Sequence, residues 1–204
     1  MLPVIVREHS LLSSFSVLYL CGFTAVGLAD GNLEAVVYFV AVGLAFMFMT
    51  YARAHVEFSS GVLWGLSLWG LAHMAGGLVY VDERVLYSVQ LIPVVLRYDQ
   101  AVHAFGFGFA TLAAWQGLSA WLLPERKITG GLALLVALCG MGVGAFNEVL
   151  EFFLTRVAAD TNVGGYENTG WDLVFNTLGA VAAAGWVLAR GPRGRGGEPR
   201  THVL

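Results

Sequence analysis

The chain is 204 residues long, 57% hydrophobic and only 12% charged, with a mean hydropathy of +0.71 and a formal net charge of −3. Soluble domains carry roughly 25% charged residues, so this composition excludes an ordinary water-soluble globule. Lys and Arg are few and scattered outside the C-terminal tail, which removes nucleic acid as a partner.

In chain order, the apolar residues fall into blocks of about 20, the length a helix needs to cross about 30 Å of hydrocarbon. Six spans are predicted, at 11–29, 33–52, 60–80, 100–123, 130–154 and 171–189. Backbone groups in lipid must pair within their own segment, so the fold class is all-α, an integral membrane six-helix bundle filling residues 1–190. The first block follows Arg7 and covers positions 11–29, longer than the core of a signal peptide. The residue before Cys21 is Leu20, which does not suit a lipoprotein site, so the block reads as a retained first span. Cys21 and Cys139 both lie inside apolar blocks and are expected to be small core residues, not a disulfide.

Between spans three and four, "VLYSVQLIPVVLRY" is long and partly apolar, and suggests an interfacial or re-entrant helix. Between spans five and six, "TRVAADTNVGGYENTG" is polar and turn-rich. Asp160, Asn162 and Gly165 there mimic the start of a calcium loop, but its twelfth position is Trp171, which rules out an EF-hand. The tail at 191–204, "GPRGRGGEPR" and beyond, is expected to be disordered, basic and cytoplasmic.

Orientation follows from the basic residues. Arg7, Arg53, Arg126, Lys127, Arg190, Arg193, Arg195 and Arg200 lie at the termini and even-numbered loops, and only Arg84, Arg97 and Arg156 in the odd ones. The positive-inside rule then predicts cytoplasmic termini. Trp64, Trp121 and Trp186 would mark the inner interface and Trp171 the outer one.

Chemistry-bearing side chains collect at the outer ends of four spans. His73 lies about two turns before the end of span three, and Asp99 and His103 open span four with i, i+4 spacing. Asn147, Glu148 and Glu151 close span five, and Asp172 and Asn176 open span six. An ionisable side chain in lipid costs about 2.5–3.5 kcal/mol on insertion scales. Such groups therefore face an interior, pair with one another or line a wet cavity. Carboxylates outnumber the two histidines, and a divalent cation or protonation of one acid would offset the excess.

The mixed N/O donor set suits zinc, iron or manganese. His73, Asp99, His103, Glu148 and Asp172 are the candidate ligands. Glu151 is the candidate general base toward a metal-bound water. Asn147, Asn176, Glu167 and Asn168 would support the ligands from behind. No fixed metal motif is present.

Each feature also has a plainer reading. Asp99 and Asp172 can cap helix starts, His73 can be an ordinary core histidine, and Asn176 can bond across helices. Gly140 and Gly144 have GxxxG spacing, which serves close helix approach.

Three stretches, "YDQAVHAFGFG", "FNEVLEFF" and "NVGGYENTGWDLVFNTLGA", resemble the YjdF-like family of bacterial inner-membrane proteins over roughly residues 95–185. The last three spans resemble the VanZ-like family more distantly. There an Asp–His pair opens one helix, a Glu closes the next, and an Asp followed by Asn and Gly lies on the last. The resemblance implies a multi-pass protein of the bacterial cytoplasmic membrane concerned with the envelope, and supplies no reaction. Three functions stay open. The first is a metal-dependent enzyme acting on a lipid or lipid-linked substrate, with membrane lipid as its partner. The second is a small cation- or proton-coupled transporter. The third is a non-catalytic partner whose polar cluster specifies packing.

Overall fold

A computed structural model describes residues 9–32, 34–121, 128–157 and 164–190. The tail at 191–204, Arg126, Lys127, Asp160 and Asn162 lie outside the described residues, and with them the expectations attached to them.

Six long helices make up most of the described chain: α1 Ser10–Ala29, α2 Glu34–Ala52, α3 Ser60–Leu78, α4 Tyr98–Trp121, α5 Gly130–Val157 and α6 Tyr166–Arg190. The all-α expectation holds at this level. Four of them, α1, α2, α5 and α6, are long and apolar enough to cross a membrane by length and composition.

The two that fall short, α3 and α4, are the central ones. Helices α1, α2 and α3 pack together, α4, α5 and α6 pack together, and the two groups meet through α3 and α4. A helix with neighbours on several sides need not be apolar all round, so α3 and α4 carry glycine, serine, glutamine and histidine instead.

Polarity is inverted relative to a soluble protein. Leu134, Leu135, Leu138, Phe146, Phe152 and Phe153 of α5 are each about half exposed, while Asp99, Gln100, His103, Thr111, Glu148, Asp172 and Asn176 are buried. Soluble monomers rarely expose an apolar surface of that extent. Lipid is the solvent that accommodates it. Cys21 and Cys139 are also on this outer surface, not in the core as expected. Apolarity cannot separate lipid-facing from core positions when both are apolar.

Close approach is built from glycine. A Cβ at Gly179 of α6 would collide with the Ala104 carbonyl of α4, and one at Gly108 would touch Gly179 O at 3.5 Å. On α5, a Cβ at Gly144 would lie 2.9 Å from Asn176 Cβ, and Gly140 backs onto Thr111 and Ala180. The GxxxG spacing thus lets α5 seat against both α4 and α6.

The 81–98 segment is not an interfacial or re-entrant helix. Tyr80–Val81 (β1) pairs antiparallel with Arg84–Val85 (β2), and Gln90–Ile92 (β3) pairs with Leu96–Arg97 (β4). A 3-10 turn at Leu86–Ser88 joins the hairpins and packs on α3 and α4. Clustered β-branched residues favour short strands over helix here, and Pro93 lies in the second turn, where its missing N–H costs nothing.

Candidate metal centre

His103 is the hub. It sits in the second turn of α4, only 2% exposed, and side chains from three helices converge on it. Its Nδ1 is 2.9 Å from Asn176 Oδ1 of α6. The Asn176 amide donates from Nδ2 to Glu148 Oε1 of α5 at 3.1 Å. That second bond fixes the amide's direction, so His103 Nδ1 carries the proton and donates.

With Nδ1 committed, Nε2 faces two carboxylates. Asp99 Oδ1 is 3.5 Å away and Asp172 Oδ1 3.9 Å away. Asn168 takes the other oxygen of each acid: Nδ2 donates to Asp172 Oδ2 at 2.6 Å and to Asp99 Oδ2 at 3.2 Å. Two amides therefore hold three groups from behind, leaving Nε2 and two Oδ1 atoms turned toward each other.

Asp99, His103 and Asp172 each offer one ligand atom within 4.8 Å of the others, a spacing a metal ion can close. Metal-bound imidazoles commonly donate their second N–H to an oxygen acceptor, as His103 does to Asn176. Asp172 Oδ1 is buried with no hydrogen-bond partner among the described residues, and so is Glu148 Oε2. Leaving such an oxygen unsatisfied costs several kcal/mol on order-of-magnitude scales, so each is a place that a cation, a proton or a water could satisfy.

The other candidates fall in three places. Glu148 and Glu151 form a second ligand-spaced group with His103. Asn147 Nδ2 donates to Glu151 Oε1 at 2.7 Å. Glu148 approaches His103 on the Nδ1 side, at 3.7 Å, where Asn176 already bonds. His73 is in neither group. Its ring centroid is 6.0 Å from that of His103, and its Nδ1 contacts the Tyr87 hydroxyl. Glu167 is exposed, away from the buried cluster, and lines a neighbouring cavity.

The capping reading of Asp172 fails. Helix α6 begins at Tyr166, five residues before the predicted 171, so Asp172 lies in the second turn. Its polar first turns stay helical because Asn168, Asp172 and Asn176 recur at i, i+4 and turn one face to the cluster.

Sequence reasoning missed Tyr87. Its hydroxyl donates to His73 O at 2.9 Å, and its ring fills the space beside Gly76. Burial pushes this hydroxyl well above its ordinary range, so it stays protonated. Gln100 was also missed; its Oε1 accepts from Arg97 N–H at 2.8 Å and sets the start of α4. "DQAVH" shows Gln100 beside Asp99, but the signal that would have marked Tyr87 depends on the hairpins folding back.

These features define a helical membrane protein with a buried histidine–carboxylate cluster bridging three helices. The chain belongs to the family described as Predicted membrane protein (DUF2238), which matches residues 11–193 and is the YjdF-like family that its motifs resemble. No curated protein and no solved structure matches it.

Proposed function

We propose that this protein binds one divalent metal ion through Asp99, His103 and Asp172, and uses it on a lipid or lipid-linked substrate of the bacterial cell envelope. The observation that carries the reading is the inward set of three donor atoms, each backed by an amide, together with the unpartnered Asp172 Oδ1. Mixed N/O donors suit zinc, iron or manganese. A metal with three protein ligands keeps a position for water or substrate, and Glu151, whose group shares His103 with the donor set, would be the candidate proton acceptor. Glu148 and His73 complete the polar surround.

In the bilayer this reading has six spans with both termini cytoplasmic and the cluster toward the outer face, in the bacterial inner membrane. The VanZ-like pattern of the last three helices belongs to the same proposal. Reporter fusions at the termini and at 82–83 test the orientation.

The second reading is a cation or proton path. His103 faces Asp99 and Asp172 from Nε2 and Glu148 from Nδ1, an arrangement that favours it. Flux into proteoliposomes that depends on Glu148 would support it over catalysis.

The deciding experiment is elemental analysis of protein purified without chelator and reloaded with zinc, iron or manganese. About one ion per chain is expected, lost in His103→Ala and Asp172→Asn. Failure of the folded wild type to retain any of the three overturns the metal reading.

A further inference from the structure

A cavity of ≈ 390 Å³ adjoins the cluster, lined by Ser88, Gln90, Val94, Val95, Arg97, Gln100, Glu167 and Trp171. It is of the size that takes a small polar ligand. Its charges are unusual. Arg97 and Glu167 line the same space, yet no ion pair joins them, and neither has another ion-pair partner among the described residues. Opposite charges that share a wall without meeting are complementary to a ligand carrying both signs. Trp171 adds an indole, whose face attracts ammonium groups.

Arg97 also ties the cavity to the cluster. Its Nη1 reaches Asn168 Oδ1 at 3.5 Å, and Asn168 holds Asp99 and Asp172. Gln100, at the inner wall, directly precedes the turn of α4 that carries His103. A ligand in the cavity is therefore one side chain away from the inward donor set.

Ser88 and Gln90 add polar groups to the wall, and its outward edge is apolar. Val94 and Val95 form the lip, 98% and 69% exposed, and Leu91 and Ile92 beside them are about half exposed. Val94 has φ 63°, a left-handed conformation that a β-branched residue adopts only under constraint. An exposed apolar hairpin at the rim of a polar hollow suits the boundary between headgroups and acyl chains.

We infer that this cavity receives the headgroup of a zwitterionic aminophospholipid. The phosphate pairs with Arg97, the ammonium meets Glu167 and the Trp171 face, and the acyl chains leave over Val94 and Val95. The inference deepens the proposed function, because it names the substrate class for the adjoining cluster, and it rests on that reading only for the headgroup being a substrate.

The test is calorimetric titration of the full chain in detergent with dihexanoyl phosphatidylethanolamine, dihexanoyl phosphatidylglycerol and soluble phosphoethanolamine, all in EDTA. Chelation makes binding independent of the metal, so failure here and failure of metal retention are separate results. The ethanolamine lipid is expected to bind about tenfold tighter than the glycerol lipid, the scale of one charge-assisted hydrogen bond. Arg97→Gln should weaken both lipids, and Glu167→Gln only the ethanolamine lipid, erasing the preference. Both positions are outside the buried core, so the variants should fold, and thermal unfolding checks this. Equal binding of the two lipids by wild type, or unchanged binding in both variants, overturns the inference. Soluble phosphoethanolamine binding as tightly as the lipid would overturn the lipid source.

Discussion

Asn176 accepts the His103 Nδ1 proton at 2.9 Å while its own NH2 donates to Glu148 at 3.1 Å. One amide thus sets the tautomer of an imidazole on α4 and restrains a carboxylate on α5. Asn176→Leu leaves both partners buried without it. A loss of about 1–3 kcal/mol is expected for each group left unsatisfied, read as a lower unfolding temperature in detergent. If a metal is bound, its affinity should fall about 10–100-fold as the imidazole loses its support. Unchanged zinc affinity in a folded Asn176→Leu protein would show that Asn176 serves packing alone.

Gly179 and Gly142 offer a paired test of the helix contacts. A methyl at Gly179 meets the Ala104 carbonyl, whereas one at Gly142 meets nothing within 4 Å. Gly179→Ala should destabilise by about 1–3 kcal/mol through overpacking. Gly142→Ala should be neutral or stabilise by a few tenths up to about 1 kcal/mol through helix propensity. Thermal unfolding of the two variants side by side decides it; equal midpoints would refute the close α4–α6 crossing.

Metal binding should be pH-dependent with a definite sign. The ligands act as neutral imidazole and carboxylate anions, so protons compete with the ion. Affinity measured by chelator competition should fall steadily as pH is lowered from 7.5 to 5.5. A flat profile would argue that the ion is held somewhere other than His103.

Tyr87→Phe should loosen the hairpins without removing the cluster. The change deletes the bond from the hydroxyl to His73 O while leaving the ring against Gly76. Faster amide exchange confined to residues 80–97 is expected, at unchanged metal content. A parallel loss of metal would move His73 into the ligand set.

Cys21 and Cys139 are exposed on the apolar surface and belong to neither ligand-spaced group. Replacing both with Ala should change stability by no more than about 0.5 kcal/mol each. A larger loss by thermal unfolding would return them to the core.

Much was legible in the residue order. Block length and apolarity marked all six helices, four of which are long and apolar enough to cross a membrane. The placement of Asp99, His103, Glu148, Glu151, Asp172 and Asn176 at matching helix ends was also readable, because helical rise is constant and lipid penalises isolated charge. Tertiary structure alone decided the rest. It separated His73 from the ligand-spaced groups, turned Asn168 and Asn176 to opposite sides of the cluster, moved Glu167 to a neighbouring cavity and put both cysteines outside. It also folded 81–98 into hairpins that bring Tyr87 over His73. These outcomes depend on how each helix is rotated about its axis. When lipid and core are both apolar, the sequence gives no inside-versus-outside contrast, so glycine contacts and amide hydrogen bonds set that rotation.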